Sequence, residues 1–213
     1  MALVKYNNNS LSAITDIASS MKGAMTLIKE QTASSSATIS FVDGTSDVVL
    51  DSTYPIYLFK FINIHPGTDG VDFMFNMSID SGSNYNVAKT SSFFRAAHTE
   101  NDTEGATLDY RTGEDLAQGT GKQTLCRDVG YDNDQSASGS LHLFNPSSTT
   151  FVKHFIAKTQ YYLNDWGSVT DGSMNTFVGG YGNTTSAVDA IQFSMQSGNI
   201  DAGTIKLYGI KDS

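Results

Sequence analysis

The chemistry-bearing stretch of this chain is Tyr161-Tyr-Leu-Asn-Asp-Trp166, which holds its single tryptophan at the end of an apolar run leading into Gly167. Aromatic faces beside Asn164 and Asp165 suit stacking on a sugar ring with hydrogen bonds to its hydroxyls. The same residue types are favoured at subunit contacts, and Trp166 serves equally well as a core residue. Tyr161, Tyr162, Asp165 and Trp166 are therefore the candidate set for a glycan or an interface. The histidines, His65, His98, His142 and His154, stand far apart, with no H-x-H or H-x-x-x-H spacing for a metal. His142 and His154 fall within strands, facing solvent or a satisfied core position. A G-x-S-x-G elbow and a glycine-rich phosphate loop are both absent. Glu100, Asp102, Glu104, Glu114 and Asp115 include two carboxylates for a glycosidase in principle. They fall, however, in a polar stretch where carboxylates ordinarily solvate a loop. Residues 80–86 and Asp132-Asn-Asp134 carry oxygen groups at alternate positions, as calcium loops do, but lack the closing Glu. The turn-forming habit of Asx and Gly explains both without a metal. Cys126 is alone, which rules out an internal disulfide and predicts a half-buried thiol without a role. The expectation is no metal, no cofactor and no enzymatic activity.

Composition narrows the elements that could position such residues. Charged residues are 16% of the 213, against roughly 25% in typical soluble domains. Ser, Thr, Asn and Gly fill the gap, a profile of short strands joined by polar turns rather than of helical bundles. The 13 basic and 22 acidic residues leave a net charge of −9, and the basic ones are scattered singly along the chain. Nucleic acid and anionic membrane surfaces are thereby disfavoured as partners. Residues 1–10 contain no apolar run of signal-peptide length, and no later run could span a bilayer. Synthesis in a cytoplasm without secretory export is expected.

From residue 24 onward the apolar period is 2, which predicts an all-β domain over 24–213. Strands are expected at 25–30, 38–42, 55–65, 71–79, 85–96, 139–144, 151–163 and 175–181. Short candidates lie at 107–110 and 123–127, within a polar excursion over 100–135. The 55–65 run is dense enough to be a central strand covered on both faces over part of its length. Ile191, Phe193 and Met195 alternate with polar residues, as do Ile205 and Leu207, and these two segments are expected to pair as the closing hairpin. Nine to eleven strands with eight in the core is the count of a jelly-roll-like antiparallel β-sandwich.

Residues 1–23 differ. Leu11, Ile14, Ile17 and Met21 recur at near-helical spacing, with Ser10 as an N-cap and Gly23 as a stop. The segment either lies across a sheet or forms an arm that docks on another subunit.

Several stretches resemble a family of small structural proteins of tailed bacteriophages common in marine phages. They are residues 23–41, Asp51-Ser-Thr-Tyr54, Thr68-Asp-Gly70, residues 78–85, residues 143–149 and residues 198–209. Together they cover about half of the chain, in order. The resemblance implies a non-enzymatic virion component, partnered by other virion proteins, in head or tail. A homotrimer attached through the N-terminal arm is the expected assembly, as a capsid decoration or as a tail-fibre module gripping a host-surface receptor. The alternative is a carbohydrate-binding module for host-surface glycans.

Overall fold

The computed structural model describes residues 24–102, 106–166 and 169–211, with the backbone alone at 163–166 and 169–170. Residues 1–23, with Leu11, Ile14, Ile17 and Met21 of the expected arm, lie outside the described residues.

The described strands are β1 (Met25–Thr32), β2 (Ile39–Val42), β3 (Ile56–Pro66), β4 (Val71–Ser78), β5 (Lys89–Thr99) and β6 (Thr107–Tyr110), followed by β7 (Gln123–Val129), β8 (Ala137–Phe144), β9 (Lys153–Trp166), β10 (Val169–Gly182), β11 (Ala190–Met195) and β12 (Ile200–Ile210). Every pairing is antiparallel. Four pairs are nested like a long hairpin folded over on itself: β1 with β12, β2 with β11, β3 with β8 and β4 with β7. Two further pairs, β12 with β3 and β11 with β4, roll that hairpin into layers β1-β12-β3-β8 and β2-β11-β4-β7. This is the jelly-roll wrapping, which tucks most strand edges away.

Two hairpins interrupt the eight-strand wrapping. β5 and β6 are inserted between β4 and β7, and β9 and β10 between β8 and β11. Pairing of β9 with β8 and of β10 with β5 appends all four strands to the first layer. The result is an eight-stranded sheet, β1-β12-β3-β8-β9-β10-β5-β6, facing a four-stranded one. One residue pair, Val129 with Leu163, joins β7 to β9 and closes the sandwich along that edge.

Between the layers lies a phenylalanine core. Phe193 of β11 packs on Phe59 and Phe61 of β3 at 5.4 and 5.2 Å between ring centroids, and on Phe73 of β4 at 5.9 Å. Phe75 meets Phe155 edge-on at 5.1 Å, linking β4 to β9. Such ring pairs contribute about 0.5–1.5 kcal/mol each beyond the area they bury. Tyr57, Leu58 and Phe59 are buried in succession, as expected for a strand covered on both faces.

The structure corrects four expectations. Residues 191–195 and 204–210 form strands but do not pair as a hairpin: β11 and β12 belong to opposite layers. Their apolar faces, Phe193 on one and Ile205 and Leu207 on the other, both need cover, and crossing between layers points them at a shared core. Ala202-Gly203 is accordingly a bulge inside β12. Gly203 has φ +117°, and a Cβ there would sit 2.6 Å from the Asn63 carbonyl oxygen, so glycine is required. The segment 123–127 is no decoration; as β7 it is a core strand of the smaller layer. β5 starts at Lys89 rather than at residue 85, because the Asn76 side chain donates to the Tyr85 carbonyl at 2.6 Å and takes the place of a ladder bond. The described strands number twelve, more than the nine to eleven expected.

Candidate functional site

The groups that could react are held apart. His98 is exposed and faces Asp102 at 3.4 Å, while desolvation lowers the pKa of half-buried His142. No group of three His, Cys, Asp or Glu side chains converges among the described residues. The Asp80 carboxylate is consumed by its own turn: it accepts from the Ser78 hydroxyl at 2.7 Å and from the Asn84 backbone and amide at 2.8 and 2.7 Å. The 132–135 turn is closed through the Asp132 backbone, whose carbonyl accepts the Gln135 N–H at 2.8 Å and whose N–H donates to the Gln135 side-chain oxygen at 3.3 Å. Cys126 is fully rather than half buried, and desolvation pushes its thiol up to about 12, away from thiolate chemistry.

The scattered arginines meet in space. Arg95, Arg111 and Arg127, the three in the chain, belong to one ion-pair network. Arg95 on β5 is nearly fully buried and reaches Asp109 on β6 at 2.9 Å; Arg111 reaches the same carboxylate at 3.3 Å. Glu114 lies 3.0 Å from Arg127, whose Nε meets Asp128 at 3.1 Å. Tyr110 donates to Asp115 at 2.6 Å. Glu114 and Asp115 therefore hold the 111–122 connection onto β7 and β6; they do not confront each other across a groove. Glu104 lies outside the described residues. Spacing in sequence gave no sign of this network, because no two of its arginines are neighbours.

The aromatic set divides. Tyr161 is fully buried and its hydroxyl accepts the Arg127 backbone N–H at 3.0 Å. It serves the core and is out of reach of a sugar, since successive strand residues point to opposite faces. Tyr162 points outward, and its hydroxyl donates to Asp171 at 2.7 Å, which raises its pKa. Of Asp165 and Trp166 the structure describes the backbone alone, Trp166 pairing with Val169 beside the β9–β10 turn.

Tyr162 leads to a surface that the sequence pattern did not single out. On the outer face of the β9–β10–β5–β6 half-sheet, the register aligns three successive rows. The first is Tyr162, Ser173 and His98; the second is Gln160, Asn175, Ala96 and Leu108; the third is Lys158, Phe177, Phe94 and Tyr110. The inner neighbours, Tyr161, Thr159, Met174, Thr176 and Arg95, are all buried. The Thr159 and Thr176 hydroxyls bind the Leu125 carbonyl of β7 at 3.0 and 2.6 Å and fix the half-sheet from beneath. Above it, Phe94 and Phe177 stack at 4.9 Å. Leu108 is 76% and Tyr110 52% exposed. Two depressions lie on this face. One of about 200 Å³ is lined by His98, Gln160, Tyr162 and Ser173, the other of about 260 Å³ by Phe94, Leu108, Lys158, Asn175 and Phe177. Period-2 alternation marked these side chains as outward; which strands lie side by side is a product of the fold.

No family model, curated protein or solved structure matches this chain.

Proposed function

We propose that this protein is a non-enzymatic structural component of a tailed-phage virion, a surface jelly-roll module carried in many copies. The observation that carries the reading is an exposed apolar corner on the outer face of the eight-stranded sheet. There Met25 and Leu27 of β1 are 46% and 49% exposed, across from Ile210 and Tyr208 of β12. Exposed apolar side chains gathered on one sheet face mark a contact surface. The described chain starts at residue 24, immediately before β1, so an arm formed by the preceding residues and this contact face would act together. Weak contacts of this kind sum when many copies sit on one particle. The fold alone supports many uses; the resemblance of residues 23–41 and 198–209 to tailed-phage structural proteins favours this one.

Purified particles analysed by protein mass spectrometry should contain the chain in many copies. A chain lacking residues 1–22 should fold with an unchanged thermal midpoint yet fail to join particles. Absence of the intact chain from particles overturns the reading, and normal incorporation of the shortened chain overturns the arm.

A further inference from the structure

We infer that the outer face of the β9–β10–β5–β6 half-sheet binds a short acidic oligosaccharide, with a carboxylated sugar unit seated on Lys158 against the Phe94–Phe177 wall. The proposal is independent of the particle reading and moves the glycan site away from Tyr161 and Trp166.

Its first support is the pairing of chemistries in each depression. Asn175, the Gln160 side-chain carbonyl and the Ser173 hydroxyl proton face the depressions as groups of the kind sugar hydroxyls use, while Phe94, Phe177 and Leu108 supply apolar walls. The Gln160 amide is held by Ser173 and the Tyr161 carbonyl, and the Tyr162 hydroxyl by Asp171. The two depressions adjoin through the Gln160–Asn175 row, so a ligand can run from one into the other along the strands. Lys158 and Tyr162 are four residues apart on β9, about 13 Å at the rise of a strand, which suits an oligosaccharide of a few units.

Charge supplies the second support and sets the polarity. Lys158 makes no ion pair among the described residues, and it is the only fixed charge in the three rows. Nearby carboxylates are already engaged, Asp171 by the Tyr162 hydroxyl and Asp102 by His98. Glu100 borders the depression at the Tyr162 end, so an anionic unit is directed to the opposite end. A second copy is a poorer occupant. The Lys158 row continues through Ser140 to Lys60, neither lysine being ion-paired among the described residues, before reaching Lys206, which Glu30 neutralises at 2.9 Å. Two such faces pressed together would bring the Lys158 and Lys60 charges close.

The test is binding of the full chain to a glycan array bearing uronate-containing, sialylated, sulfated and neutral oligosaccharides, followed by titration of the best binder in solution. Carboxylated glycans should bind in preference to neutral ones. Lys158→Gln and Asn175→Ala should each weaken binding at least tenfold with the thermal midpoint unchanged, whereas Lys29→Gln, an equal loss of charge on β1, should leave it as it was. Absence of carboxylated binders overturns the proposal. So does an equal loss in Lys29→Gln, or equally tight binding of a single-stranded oligonucleotide, because charge alone would then explain the result. Self-association in sedimentation that Leu108→Ser abolishes would assign the face to a second copy instead. Loss of glycan binding with incorporation into particles intact separates this proposal from the particle reading.

Discussion

Lys89 is fully buried, yet its ammonium meets no carboxylate among the described residues; it donates to the Asn76 side-chain oxygen at 2.5 Å and to the Val87 carbonyl at 2.8 Å. Burial pushes its pKa down to about 8, whereas the unfolded chain titrates near 10.4. Between those values the unfolded state holds the extra proton, so the penalty is complete below about pH 8 and is relieved as pH rises toward 10.4. Relative to Lys89→Met, the wild-type chain should therefore gain on the order of 2 kcal/mol between pH 7 and pH 10 in urea unfolding. Parallel pH curves for the two chains would refute the assignment. Nothing in the sequence singled out Lys89, because its neighbours are ordinary strand residues and the side chain that receives its ammonium, Asn76, comes from β4. Cys126, the single cysteine of the chain, is expected from the sequence as a half-buried thiol; the structure buries it fully.

Among the elements, β6 shows how a four-residue strand is retained at a sheet edge. Its outer residues, Leu108 and Tyr110, are exposed, so apolar cover contributes little to holding it. Asp109 instead binds the buried Arg95 guanidinium and also Arg111. Removing one partner of a fully buried pair costs about 3–5 kcal/mol, but Asp109 is 35% exposed and the Arg95 guanidinium keeps a further interaction. Asp109→Ala should therefore cost about 1–2 kcal/mol and speed amide exchange across β6 first; no measurable loss would show that the pair does not anchor the strand. Its bounds, 107–110, matched the sequence pattern because alternation is local. The pairing of β11 and β12 did not match, because short separation and turn residues suggested a hairpin that the demand for a shared core overrode.

For the whole molecule, Phe193 is the point where the layers meet, with Phe41, Phe59, Phe61 and Phe73 around it. Phe193→Ala should lower stability by about 3–5 kcal/mol while unfolding remains one transition by calorimetry, since both layers lose the same contact. A smaller loss, or two separate transitions, would mean that the layers are stabilised independently. The sequence by itself determined the antiparallel all-β character, most strand positions and which side chains point outward, because period-2 alternation is a property of neighbouring residues. Only the tertiary structure decided that β7 is a core strand, that β11 and β12 part company, that the three arginines meet, and that Tyr162, Asn175 and Lys158 share one face. Each of those depends on which strands lie side by side, and that is set by closing a common core between residues far apart in the chain.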